Sequence, residues 1–317
     1  MYYPYLRARQ FELISLRELA SANVLQNYVT PVLEPVKETF NNLNLAHKVF
    51  EEKELNCFLI VNPLVGEIPG DTNIFLDYIS SIDNCHFLPA FHYTNNREFI
   101  INSILKYKIS KCLLIGYENF NDDTDLRFLC NHENVSHIMI YQPHQNRSLD
   151  RFIKALNKKY IRLDDVFEKQ VKNADFLDIS AHKFSEEHLY YIKDGYQGFS
   201  DFTVLPSEYV DGGSTPRAVV IHLTYIKQDE ENQIWIRHFT SDTNDSIANV
   251  QGKFAEAAQK AVGFCGAEGL NNSAIGELRA YFNEAKYPGL GTVKKICIKH
   301  HLHIVTEYLV QRDAIRL

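Results

Sequence analysis

A series of polar side chains follows one apolar run after another along this chain. Arg7, Arg9 and Glu12 come after "YYPYL", Glu34 after "TPVL", Asn62 after "CFLIV", His92 after "FLPAF" and Glu118 after "CLLIGY". Gln142 and His144 follow "HIMIY", Arg162 and Asp164 lie in "YIRLDD", and Asp201 lies in "FSDF". Arginines suit a phosphate or carboxylate, carboxylates suit a general base or a hard cation, and a histidine exchanges protons near neutral pH. Read as one site, Glu34, His92, Glu118 and Asp201 are the catalytic candidates, and Arg7, Arg9, Asn62, Arg162 and Asp164 the ligand-binding ones. Glu34, Asn62, Glu118 and Asp201 could also share a cation such as Mg²⁺ through their oxygens. Against this stands a plain reading: polar groups collect where strands meet solvent, and Arg7 with Glu34 is then a structural ion pair.

These residues can converge only if the runs that carry them are strands of one sheet. Eight β-rich segments recur, near Tyr2, Val29, Cys57, His86, Lys111, His137, Tyr160 and Phe199. Between most of them lie stretches with apolar residues three and four apart, such as "FELISLRELASA" and "REFIINSILKYK", with Asp122 and Ser148 placed as N-caps of two others. Near-continuous apolar strands alternating with helices point to a parallel sheet covered on its outer face, and eight such units fit an α/β fold of the (β/α)₈ TIM-barrel type, ahead of an open doubly wound sheet. In such a barrel the ligand site lies at the carboxyl ends of the strands, which is where the polar residues fall.

The barrel is expected over residues 1–216, with a long insertion at about 166–198 of the kind that serves as a lid or a binding segment. Its aromatic end, "EEHLYYIKDGYQGFSDF", reads as such a lid or, less simply, as a stacking platform for bases. Residues 217–317 read as a C-terminal extension packed on the barrel. In it, "AVVIHLTYI" and "QIWIRHFTS" form a β-hairpin about the turn "KQDEENQ", and three helical stretches follow.

The net charge of −7 and pI near 6.0 argue against a protein that binds nucleic acid over its whole surface, though a local basic groove or a nucleotide site is compatible with them. No apolar stretch is long enough for a membrane span and no signal sequence follows Met1, so a cytoplasmic location is expected. The six cysteines are scattered and imply no disulfide framework. "CIKHHLH" crowds Cys297, His300, His301 and His303 in the manner of zinc ligands, but lacks the second ligand pair of a structural zinc site and reads more simply as a helix face. The chain carries no phosphate-binding loop, no dinucleotide fingerprint and no nucleophile elbow. "GLGTVKK" could seat an anion at a helix start, and no cofactor is indicated.

Several longer segments carry a resemblance. "MYYPYLRARQFE", "TPVLEP", "NADF", "SEEHLYYIKDGYQGFSDF", "AVVIHLTYI", "IRHFTSDTND", "GKFAEA" and "GLGTVKK" together resemble the bacterial beta-protein family, named for a protein of a satellite phage, over nearly the whole chain. The resemblance is to the branch encoded beside a small protein of the restriction-nuclease type. It implies a component of an anti-phage defence module carried on a mobile genetic element, with that nuclease as partner, and implies no catalytic residue. Where relatives more often carry Gly-Lys, this chain has Ala8 and Arg9, which keeps the charge and gives up glycine's backbone freedom. The expected role is therefore a sensor or regulatory subunit whose barrel mouth binds a phosphate-bearing ligand or a partner segment. A metal-dependent phosphodiesterase or nucleotide hydrolase acting at the mouth is the alternative.

Overall fold

The computed structural model describes residues 1–118, 122–212 and 217–316. The apolar runs form short strands: β1 (Tyr5–Leu6), β2 (Val32–Leu33), β3 (Cys57–Ile60), β4 (Phe87–His92), β5 (Cys112–Gly116), β6 (Val135–Tyr141), β7 (Lys159–Leu163), β8 (Ala181–Ser185), β9 (Gly198–Ser200), β10 (Val220–Lys227) and β11 (Gln233–Thr240). Eight of them pair in the order β1-β2-β3-β4-β5-β6-β7-β9, every neighbour parallel. The two ends of this sheet meet. Tyr2 bridges Phe199, and the N–H groups of Tyr3 and Tyr5 donate to the carbonyls of Phe199 and Asp201, each at 2.9 Å. That closure makes the fold TIM-barrel-like and not an open doubly wound sheet.

A helix follows each of the first six strands: α1 (Gln10–Ser21), α2 (Asn41–Glu52), α3 (Ile74–Ser80), α4 (Arg97–Lys106), α5 (Thr124–Asn131) and α6 (Arg147–Lys154). In α2 the residues that go inward are Leu43, Ala46, His47 and Phe50, the three-and-four spacing of one helix face. The caps differ from expectation by one or two residues. Asp123 is the N-cap of α5, with Asp122 accepting from the Thr124 N–H at 2.9 Å, and Asn146, not Ser148, caps α6 by accepting from the Leu149 N–H at 3.1 Å. Asparagine and aspartate accept such bonds as well as serine does, so position relative to the first free N–H groups decides between them.

By internal contacts the chain forms two compact units, Met1–Leu13 with Arg17–Asp165 and Glu187–Phe202, and Ile14–Leu16 with Val166–Glu186 and Thr203–Leu317. The first unit is the barrel. Tyr5, Val32, Ile60, Ala90, Ile115, Met139, Leu163 and Phe202 belong to its buried interior, while the residues between them face the helices.

In the second unit β10 and β11 form the expected antiparallel hairpin, and the turn between them is tightened by Glu231 and Asn232, both left-handed with φ of 53° and 63°. The sheet has a third strand that the hairpin reading lacks: β8 pairs antiparallel with the other edge of β11. The segment expected as one insertion at 166–198 is thus divided. Residues 166–186 group with the second unit, and 187–198, with the short α7 (Glu187–Tyr190), group with the barrel. Helices α8 (Val250–Ala267), α9 (Ser273–Asn283) and α10 (Leu290–Arg316) follow the hairpin as expected. Buried His300 ties α10 to the sheet by donating from Nε2 to the Thr224 carbonyl at 2.7 Å. No helix among the described residues is long and apolar enough to cross a membrane, and all six cysteines are free thiols.

Candidate functional site

Side chains of a strand alternate between its two faces, so residues two beyond an interior position point the same way. Two beyond Tyr5, Val32, Ile60 and Ala90 stand Arg7, Glu34, Asn62 and His92, the first polar layer above the apolar interior at the carboxyl end of the barrel. These four expected residues come together. The same step from Ile115, Met139 and Leu163 gives Tyr117, Tyr141 and Asp165. The sequence reading missed these three, naming their neighbours Glu118, Gln142 and Asp164.

Glu34 is the centre of the layer and is wholly buried. Its Oε2 forms an ion pair with Arg7 and accepts from the Tyr5 hydroxyl at 2.6 Å, and its Oε1 accepts from the Leu64 N–H at 2.7 Å. The Tyr5 oxygen is also 2.9 Å from His92 Nε2. Tyr5 has one proton and gives it to the carboxylate, so His92 must carry its own proton on Nε2 and donate to Tyr5. Nδ1 is then an unprotonated lone pair, buried and without a hydrogen-bond partner among the described residues. Burial, and next the charge of Arg7, lower the His92 pKa to about 3. Burial raises that of Tyr5. Both are neutral near pH 7, and the Arg7–Glu34 pair carries the charge.

Asn62 serves its neighbour. Its amide donates to the His92 carbonyl and accepts from the His92 N–H, both at 2.8 Å, continuing the β3–β4 ladder through a side chain. The same amide nitrogen also donates to Asp71 at 3.0 Å, so the Asn62 side chain is engaged within the layer. Arg7 reaches outward from the layer: its side chain keeps 14% of its surface exposed, and its guanidinium lies over the rings of Tyr5 and Phe202 at 5.1 and 5.6 Å. Tyr117 and Tyr141, both partly exposed, stack with centroids 4.8 Å apart, and Tyr117 meets His92 and Phe202 edge-on.

Other expected residues lie elsewhere. Arg162 and Asp164 alternate with the interior Ile161 and Leu163 and so face outward. Arg162 grips Asp164 at 2.7 and 3.1 Å and Glu187 at 2.6 Å. Asp201 likewise lies outside the barrel wall, accepting from the Tyr2 hydroxyl at 2.6 Å. Glu118 is exposed and one residue out of phase with Tyr117. Glu34, Glu118 and Asp201 therefore do not converge, and among the described residues no group of three or more histidines, cysteines and acids is placed to hold a metal.

Arg9 is the N-cap of α1 and, with Lys37 and Asn42, lines a separate cleft of about 230 Å³; Glu12 in the first turn of α1 is buried. Gln142 is left-handed with φ of 44° and opens a short 3₁₀ turn in which His144 is exposed. The aromatic end of the insertion is no open platform. Tyr191, Tyr196 and Phe199 are buried, and the Tyr196 hydroxyl donates to Asp150 at 2.9 Å.

The histidines of "CIKHHLH" are tied to different partners: His300 to Thr224 and Asn272, His301 to the Thr224 hydroxyl, His303 to Ser273. Each is engaged in packing α10, which removes the motive for a zinc site. Compared with known proteins, the chain matches no family model, no curated protein and no solved structure.

Proposed function

We propose that this protein is the barrel component of a bacterial anti-phage defence module, a sensor or regulator that works with a partner of the restriction-nuclease type. In this reading it binds a phosphate-bearing ligand, such as a nucleotide, or a segment of its partner at the barrel mouth. The family resemblance supplies the context. The observation that carries the binding role is the state of Arg7, a cation held by a buried carboxylate, part exposed, in one layer with the stacked Tyr117 and Tyr141. A fixed guanidinium beside aromatic faces suits a phosphate attached to a planar base.

The alternative, a metal-dependent phosphodiesterase or nucleotide hydrolase, has less support. It needs Glu34, Glu118 and Asp201 around one ion and His92 as acid or base. Only Glu34 and His92 share a place, and His92 is sealed and held neutral.

The test is an assay of the partner nuclease on DNA with and without this protein, and with the Tyr117→Ala and Tyr141→Ala variants. A regulator changes the nuclease's rate several-fold and the variants abolish that change. A partner that behaves identically in all four reactions removes the reading.

A further inference from the structure

Three histidines cross the small sheet of the second unit on one face. His222 of β10 pairs directly with His238 of β11, and His182 of β8 pairs with Ile236, two residues before His238. Their rings form a chain: His222 Nδ1 lies 2.7 Å from His238 Nδ1, and His238 Nε2 lies 3.1 Å from His182 Nε2. One end fixes every proton. His182 Nδ1 faces the Lys183 carbonyl at 3.0 Å and the Glu168 carboxylate at 3.8 Å, both acceptors, so it carries a proton.

In the neutral rings His182 Nε2 must then accept from His238 Nε2–H, and His238 Nδ1 must accept from His222 Nδ1–H. His222 Nε2 is left as an unprotonated acceptor, and it makes no hydrogen bond with the described residues. Burial lowers His222 to about 3 and His238 to about 2, so these two rings are neutral near pH 7.

His222 lines a half-open cavity of about 260 Å³ built wholly within the second unit. Phe167 and Phe176 turn their faces or edges to its ring at 5.2 and 4.8 Å. Val204, Val220, Val293 and Cys297 add apolar wall, with Lys169 and Lys294 also in the lining. Drug-sized ligands occupy roughly 300–1,000 Å³, so this cavity fits a smaller guest. An acceptor on the wall of a half-open, largely apolar cavity rejects a guest that covers it without donating to it, because the lone pair then gives up water and gains no partner.

We propose that this cavity is a binding site for a small, neutral aromatic molecule bearing one N–H or O–H, which donates to His222 Nε2 while its ring packs against Phe167 and Phe176. His238 and His182 are positioning residues that hold the acceptor in its tautomer. The site is independent of the barrel mouth.

The experiment uses the full chain labelled with ¹⁵N-histidine and two matched probes, phenol and anisole, alike except that anisole lacks the donor. Long-range ¹H–¹⁵N spectra should show His222 protonated on Nδ1, and phenol should bind saturably at least tenfold more tightly than anisole while shifting the His222 Nε2 resonance. His222→Phe should abolish the preference, and Val204→Trp, which fills the cavity from another wall, should abolish binding of both probes. Should His222→Phe not fold, the wild-type spectra and Val204→Trp decide. Absence of saturable phenol binding, equal binding of phenol and anisole, or a His222 protonated on Nε2 overturns the proposal.

Discussion

At the scale of single residues, the mouth is governed by the cost of a buried charge. Glu34 is fully buried and its charge is matched by Arg7 alone among the cations that contact it in the described structure. Removing one partner of such a pair costs about 3–5 kcal/mol, whereas removing both charges costs far less. Arg7→Met should therefore destabilise the protein by about that amount in urea unfolding, and Arg7→Met with Glu34→Gln should recover most of it. Equal losses in the single and double variants would show that Arg7 acts through packing.

The buried histidines add a pH dependence of known sign. The pKa of His92 and His222 is about 3, of His238 about 2, and of His137, His300 and His303 about 4, all lowered chiefly by burial. A depressed pKa means that the unfolded chain takes up protons first. Stability from these groups is full above about pH 6.5 and falls as pH drops from there toward 3. The melting temperature should fall steadily between pH 6.5 and 4, and less steeply in His92→Gln. A flat profile over that range would contradict the buried, neutral histidines.

At the scale of elements, the strands that carry the site were legible in the sequence and the directions of their side chains only partly so. β1 and β2 are two residues long, yet "YYPYLR" and "TPVLEP" announced them because aromatic and β-branched residues bounded by proline favour a short buried strand. A polar residue near a strand end does not by itself face the mouth. A shift of one residue reverses the face, so Glu118, Gln142 and Asp164 were named for Tyr117, Tyr141 and Asp165, and Arg162 and Asp201 proved to face outward. Counting by two from the apolar interior would have found the layer. β8 escaped because "AHKFS" is short and largely polar, and its pairing with β11 is a long-range fact.

The turn between β1 and α1 supplies its own test. Ala8 is left-handed with φ of 50°, a conformation that costs an L-residue about 1–2 kcal/mol and glycine little. Ala8→Gly should raise stability by up to about 1 kcal/mol, against the usual cost of added chain entropy. A loss would mean that the turn tolerates alanine without strain. The barrel interior gives the opposite expectation: Phe58→Ala empties a fully buried position and should cost about 3–5 kcal/mol by chemical denaturation, and a cost near zero would contradict the interior packing described for β3.

At the scale of the whole molecule, the alternation of strands and helices was enough to reach a closed eight-stranded parallel barrel and a hairpin followed by helices. Repetition is a strong signal because each β/α unit must bury the same kind of face. The division of the insertion between the two units was not legible, since it depends on which sheet edge a polar strand joins. Function was legible least of all: the resemblance offers a biological setting, and the described mouth holds the part-exposed Arg7, two stacked tyrosines and a buried Tyr5–Glu34–His92 group. The most direct measurement is phage plaquing on cells carrying the native locus against cells carrying Tyr117→Ala with Tyr141→Ala at matched protein levels. If the mouth binds the molecule that triggers defence, protection is lost while the protein remains folded; protection equal to the native locus would contradict a functional mouth.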